Sequence, residues 1–355
     1  KIVWGGAEVT HRTKMYLDNG MIDFYVWGDG EQAILDLMAG NYDAPGINKD
    51  ATQLDDLNTV EIPNYDDIDW SQYHELKFKK PVYVTGSRGC VKRCTFCNVY
   101  EIWPKYTFRS GESIAKEIIT VREKYGRETF RFTDSLINGS MKAFKTLLEG
   151  LSEYRKTHND DFTWVSQWII RSKRQFPEEW YRMMKEAGCE EVEIGMESFV
   201  QKIRYDMKKK FTDEDMWFCL EMLQKYKIPS TLMMIVGWPT ETEEDHQQTL
   251  ATVRKIYELG WATSKADDGE TPLIWFSFAN TLMLDETQPL WQEIKDDLDY
   301  YNDEVDWSYK GNDLATRNRR FKEVNDLIKE LTGQKKSWMF MKKEAEIQNK
   351  LTEVV

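Results

Sequence analysis

The sequence predicts an α/β protein: a parallel sheet curled into a partial (βα)6 barrel, preceded by half of a parallel αβ sandwich. Three observations carry this. Six apolar, strand-like segments lie between residues 81 and 278, each followed by a helical stretch, the alternation from which parallel sheets are built. A shorter run of the same alternation fills residues 1–40. Between the two, residues 41–75 are rich in Asp, Asn and Pro and show no period.

The elements follow in order. Residues 1–4 read as a strand ending at Gly5-Gly6, then a polar helical stretch to Asp18, a strand at 23–27 and a helix over Glu31–Met38, with Gly28-Asp29-Gly30 as the turn between them. Val3, Trp4, Phe24 and Trp27 are expected to pack against the barrel. The barrel strands are expected at 81–85, 129–133, 162–167, 191–195, 230–236 and 273–278, and the main helices at 113–124, 141–156, 178–187, 213–225 and 243–259. Thr212 or Asp213 supplies a helix cap. Residues 285–307 are acidic and aromatic, with Asp285, Trp291, Tyr300, Tyr301 and Trp307; they read either as a cover over the barrel mouth or as a solvated tail. A basic amphipathic helix over 313–331 ends at Gly333. The domains are therefore 1–40, a linker at 41–75, the barrel at 76–284 and a C-terminal segment at 285–355. The chain opens inside a strand at Lys1, so upstream sequence is expected.

Charge narrows the partners. With 48 basic and 61 acidic side chains the net charge is −13, which repels phosphate backbones and argues against a nucleic-acid partner. Residues 76–93 are a local exception, with six Lys or Arg and no acid. No apolar run approaches the roughly 18 residues a membrane span needs. An odd count of five cysteines, three of them close together, suits metal chemistry in a reducing cytoplasm rather than a disulfide framework.

Those three lie in Thr85-Gly-Ser-Arg-Gly-Cys90-Val-Lys-Arg-Cys94-Thr-Phe-Cys97, directly after the first barrel strand. Zinc normally takes four protein ligands, and His74 is the only near candidate for a fourth. A cubane held by three thiolates instead leaves its fourth iron open to an exogenous ligand. Gly86 and Gly89 let the backbone come close, and Arg88, Lys92 and Arg93 would offset the cluster's negative charge. Cys189 and Cys219 read as packed core residues.

The spacing Cys-x3-Cys-x-aromatic-Cys, with Phe96 as the aromatic, resembles the signature of the radical S-adenosylmethionine (SAM) superfamily. The order of motifs behind it resembles the branch with an N-terminal cobalamin-binding domain. The resemblance implies a 4Fe-4S cluster on Cys90, Cys94 and Cys97, with no catalytic side chain assigned beyond it, and S-adenosylmethionine as co-substrate. It further implies that Phe130-Arg-Phe-Thr-Asp134-Ser135 ends the second strand beside the methionine amine and that Arg171 follows the third. Glu197 would hold the ribose hydroxyls, Lys209 the methionine carboxylate, and Gly237 would lie beside the adenine. Phe278-Ala-Asn280-Thr281 stands where relatives often carry Pro-Gly-Thr, so no substrate carries over.

Residues 1–40 resemble the carboxyl half of a Rossmann-like cobalamin-binding domain, with Gly5 and Gly6 near the cofactor tail. No Asp-x-His-x-x-Gly loop surrounds any of the four histidines. Cobalamin binding and a cofactor-free structural lid both stay open. The implied chemistry is reductive cleavage of SAM to a 5′-deoxyadenosyl radical acting on a small-molecule or peptide substrate, with methyl transfer if cobalamin is bound. Its partner is a one-electron reductant such as a flavodoxin or ferredoxin. The rivals are a methylthiotransferase-like enzyme acting on RNA, which would need a second cysteine set and a basic tail, and a non-enzymatic iron-sulfur or zinc module.

Overall fold

Apolar side chains at alternate positions give the strands one buried face each. In the strand Ser230–Val236, Ser230, Leu232, Met234 and Val236 are buried while the residues between them are half-exposed. The computed structural model describes residues 1–6, 9, 13–72, 81–262 and 274–332. Leu273, Gly333, His74 and the basic residues at 77–80, which figured in the sequence expectations, lie outside these. The chain divides into two units, Lys1–Trp168 with Glu186–Cys189, and Ile169–Lys185 with Glu190–Val355.

The first unit opens with β1 (Val3–Trp4), α1 (Lys14–Asp18), β2 (Phe24–Tyr25) and α2 (Glu31–Met38). β1 and β2 pair in parallel, Val3 opposite Phe24. Their side chains do not wait for the barrel. Trp4 and Trp27 pack against Val9, Ile22 and Tyr25, and Phe24 packs against Val26, Ala33, Ala44 and Ile47, so this segment builds two small cores of its own.

The unit continues through β3 (Val82–Val84), β4 (Ser87–Arg88), α3 (Val99–Ile102), β5 (Thr107–Phe108), α4 (Gly111–Tyr125), β6 (Thr129–Phe132), α5 (Met141–His158) and β7 (Thr163–Trp168). β3 pairs with β6 and β6 with β7, all parallel. Ser110 and Ser140 cap α4 and α5 by accepting backbone N–H groups three residues on, and Gly126 and Asn159 end them in the left-handed conformation. Trp164 sits at the centre, edge-on to Phe132 and Phe144, with its indole N–H donated to the Ala187 carbonyl at 2.9 Å. Burying each such side chain contributes roughly 1.5–3 kcal/mol.

The second unit holds α6 (Glu178–Glu186) as far as Lys185, and β8 (Cys189–Glu197) from Glu190 onward. It adds α7 (Gln201–Asp206), α8 (Asp213–Lys225), β9 (Ser230–Val236), α9 (Glu243–Glu258), β10 (Ile274–Thr281), α10 (Pro289–Ile294), β11 (Tyr300–Tyr301), β12 (Trp307–Ser308) and α11 (Leu314–Thr332). β8, β9 and β10 are parallel neighbours in that order. α8 and α9 each begin with a capping box, Thr212 with Asp215 and Thr242 with Asp245. The acidic and aromatic stretch is not a solvated tail. β11 and β12 form an antiparallel pair, Trp307 is fully buried, and Trp291 packs on Tyr301 with ring centroids 4.5 Å apart.

The protein is thus an α/β fold built on parallel strands, with short antiparallel pairs beside them. β3, β6 and β7 in the first unit, and β8, β9 and β10 in the second, each run parallel, so Gly86 and Asp134 in the first, and Glu197 and Gly237 in the second, stand at carboxyl strand ends, where such folds place their chemistry.

Candidate functional site: a three-thiol loop and a carboxylate–ammonium pair

β4 and β5 pair antiparallel, Ser87 opposite Phe108 and Arg88 opposite Thr107, and so close the loop of residues 89–106 at its base. Cys90, Cys94 and Cys97 ride on this loop as half-buried thiols. Gly89 has φ +79°, and a Cβ there would stand 2.3 Å from the Lys105 carbonyl oxygen. Only glycine lets the two legs meet. The Lys92 N–H donates to Cys90 Sγ at 3.4 Å, and the Cys97 N–H to the Cys94 carbonyl at 3.2 Å. The Gln53 amide pairs with Lys105 through both its oxygen and its nitrogen, at 3.0 and 2.8 Å, so part of the linker stretch holds the loop.

Among the described residues, no three His, Cys, Asp or Glu side chains converge closely enough to hold one metal ion. Ligands of a single zinc would lie under 4 Å apart, given Zn–S near 2.3 Å. Thiolates that each take a different iron of a cubane need not converge on one point, and a backbone N–H aimed at a ligating sulfur is a usual feature of such sites. The loop's donors therefore fit the cluster.

The root of the loop is braced from two sides. The Asp134 carboxylate is buried; it accepts the Gly86 N–H at 2.9 Å and the Ser87 hydroxyl at 2.5 Å. Burial pushes this carboxyl up to about 7, against the pull of those hydrogen bonds. Arg109, buried beside Glu117 in an ion pair, donates to the Thr85 carbonyl at 3.2 Å, and its N–H donates to the Gly86 carbonyl at 2.8 Å. Asp134 thus meets the loop through the backbone that leads into it. Ser135 is half-buried beside it, as is Phe96 between its two cysteines.

Arg88 does not stand free to offset a cluster's charge. Its guanidinium grips Glu31 with two hydrogen bonds, 3.2 and 2.5 Å, and lies 2.9 Å from Asp29. Arg93 donates to the Pro104 carbonyl at 2.6 Å. Gly5 and Gly6 are exposed, Gly6 with φ +93° and open space around it.

In the second unit the chain brings Glu197 and Lys209 together. Their charged groups lie 2.9 Å apart, each side chain only 11–12% exposed, and the ammonium also donates to the Gly195 carbonyl at 2.7 Å. β8 shifts register between Gly195 and Glu197, and Glu197 has φ +60°. Lys208 and Lys210, flanking Lys209, also have positive φ. Non-glycine residues in this region store strain and concentrate at functional sites. The fully buried Arg204 holds the segment: it donates to the Ser198 and Phe211 carbonyls and pairs with Asp213. Arg171 is half-buried in the loop that precedes α6.

Gly237 has φ +82°, and a Cβ there would stand 2.4 Å from the Arg317 side chain. Its N–H donates to Glu241 at 2.8 Å, and Arg320 of α11 donates to the Glu241 carbonyl at 2.9 Å. Burial raises the Glu241 carboxyl to about 7, with Arg320 opposing. Sequence reasoning missed Asp29, Glu31, Arg204, Glu241, Arg317 and Arg320 as organising residues. The Gly28-Asp29-Gly30-Glu31 turn was the one visible signal; buried arginines look like surface charge in a sequence.

Residues 84–253 match the radical SAM superfamily. An uncharacterised methyltransferase of Pyrococcus horikoshii is 24% identical over 308 residues, covering 80% of this chain and 64% of that protein. The tRNA-2-methylthio-N(6)-dimethylallyladenosine synthase of Desulfitobacterium hafniense is 28% identical over 191 residues, covering 51% of this chain and 41% of that one. The chain thus spans less than two thirds of either relative's length. In structure it is similar to the radical S-adenosylmethionine methyltransferase TsrM from Kitasatospora setae, solved with cobalamin and a 4Fe-4S cluster. The TM-score is 0.60 at 17% identity, over 83% of this chain and 57% of that one. Residues 84–253 of the chain thus carry a radical SAM domain.

Proposed function

We propose that the protein is a radical SAM enzyme holding a 4Fe-4S cluster on Cys90, Cys94 and Cys97, working in the cytoplasm with a flavodoxin- or ferredoxin-like reductant. The observation that carries this is the three-thiol loop, closed at its base and set at the carboxyl end of the first parallel strand of a superfamily domain. When bound, cluster and co-substrate supply one-electron cleavage of a sulfonium C–S bond, giving methionine and a 5′-deoxyadenosyl radical. The residues bind and orient. Glu197 offers a carboxylate for ribose hydroxyls and Lys209 an ammonium for the methionine carboxylate, roles that require their mutual ion pair to open or share. Asp134 keeps the loop's entry rigid. Anaerobic reconstitution with iron and sulfide tests the reading. About four irons per chain are expected, with a spectrum that changes on adding SAM, and both are lost in Cys94→Ala. An intact, SAM-responsive cluster in Cys94→Ala would overturn the assignment.

Methyl transfer with cobalamin is the outcome we favour. What supports it is the parallel β1–β2 pair with its glycine turn, together with the likeness to TsrM over 83% of the chain. Both described histidines are engaged in their own surroundings, His158 stacked on Tyr154 and His246 bonded to Glu323. Gly5 and Gly6 would then lie near the cofactor tail. Equilibrium dialysis against hydroxocobalamin decides it: stoichiometric retention supports this outcome, and none removes it.

A further inference from the structure

One carboxylate ties together both legs of the cysteine loop. Asp29 Oδ1 lies 2.9 Å from Arg88 Nη1, two residues before Cys90, and accepts the Trp103 indole N–H at 3.0 Å, six residues after Cys97. Its Oδ2 accepts the Leu54 N–H at 2.6 Å. The side chain is 4% exposed. Its backbone is equally fixed: the Asp29 N–H donates to the Thr52 carbonyl at 2.8 Å, and Gly28 has φ +87° where a Cβ would lie 2.0 Å from that same oxygen. Glu31 completes the grip by taking the other side of the Arg88 fork.

We infer that Asp29, assisted by Glu31, is a positioning residue for the cluster, acting through Arg88 and Trp103 on the placement and charge of the loop. The inference rests on the cluster assignment proposed above. A buried ion pair that loses one partner leaves the other charge uncompensated. Here, by contrast, the Arg88 guanidinium, close in sequence to a cluster ligand, would keep Glu31 as its acidic partner. Arg88, Asp29 and Glu31 together place one net negative charge beside the loop. Asp29→Asn removes that net negative charge while Glu31 still balances Arg88, and the more negative, reduced form of the cluster is favoured. The turn after β2 thereby becomes part of the redox machinery rather than a spacer.

The test uses Asp29→Asn, Arg88→Gln and the double variant of the full chain. After reconstitution, iron content and the midpoint potential from a dye-mediated titration are measured. In metal-free protein, hydrogen exchange is followed in peptides covering residues 89–106. Asp29→Asn is expected to keep its iron, shift the potential to more positive values, and speed exchange of the loop several-fold. In the Arg88→Gln background, Asp29→Asn should shift the potential clearly less, because the Arg88 link to the loop is already gone. A merely structural carboxylate would shift it equally in both backgrounds, which overturns the inference, as does wild-type potential and protection in Asp29→Asn. If Asp29→Asn does not fold, Glu31→Gln must move the potential in the same direction, and no shift is again fatal. Should the unaltered protein take no cluster, the functional assignment falls, while loop exchange in the metal-free variants still decides whether Asp29 positions the loop.

Discussion

Asp134 shows how a single buried group couples the site to pH. Its folded-state carboxyl titrates near 7 rather than at the ordinary 3.8, because burial outweighs its hydrogen bonds. The unfolded chain therefore releases this proton first as pH rises, and stability falls between about pH 4 and 7. The span corresponds to at most about 4 kcal/mol. Asp134→Asn removes the titration, so its melting temperature should gain on the wild type across that window and hold a constant difference above it. Glu241 titrates in the same range but is common to both proteins, so the difference isolates Asp134. Parallel melting curves from pH 4 to 8.5 check this, and an unchanging difference would refute it. Glu197 and Lys209 give a second prediction at this scale. Replacing either by Ala should weaken SAM binding by about 1.5–3 kcal/mol, tenfold or more, with iron content unchanged. Isothermal calorimetry on the reconstituted protein measures it; equal affinity in both variants would take them out of the site.

At the scale of elements, the C-terminal helix α11 is fastened by arginines that a sequence reader assigns to solvent. Arg317 is fully buried; it donates to the Trp307, Asn312 and Val305 carbonyls at 2.7–2.8 Å and lies 3.7 Å over the Trp307 ring. Burial brings its guanidinium down to about 10. Arg317→Ala strands three carbonyls and should cost about 3 kcal/mol or more, read as a lower denaturation midpoint. Gly237→Ala should also destabilise, since it places a methyl against Arg317 at positive φ. Thr242→Ala, which removes the capping box of α9, should cost about 1 kcal/mol. Urea titrations of the three variants rank them, and a Thr242→Ala loss exceeding that of Arg317→Ala would contradict the assignment of the buried clamp.

For the whole molecule, the net charge of −13 gives the rivals that share the domain different expectations. RNA binding rests on phosphate neutralisation, which weakens steeply with salt. The methylthiotransferase-like reading therefore predicts a measurable tRNA complex, and ours predicts none at about 0.15 M salt, where the Debye length is about 8 Å. Fluorescence anisotropy with labelled tRNA separates them; saturable micromolar binding would favour the rival.

The strand–helix order, the cysteine loop and most element limits were legible because they depend on local chemistry. Hydrophobic period, cap residues and glycine positions act over a few residues, and so Glu31–Met38, Asp213–Lys225 and Ser230–Val236 run as expected. The three-cysteine spacing carries its meaning in eight consecutive residues. What only the tertiary structure decided are the partners of charged side chains. Arg88 turns to Asp29 and Glu31, Arg204 to Ser198 and Asp213, and Arg317 inward to Trp307. Each pairing engages an arginine whose partners the sequence does not name, because desolvation and hydrogen-bond geometry exist only once the chain has folded around them.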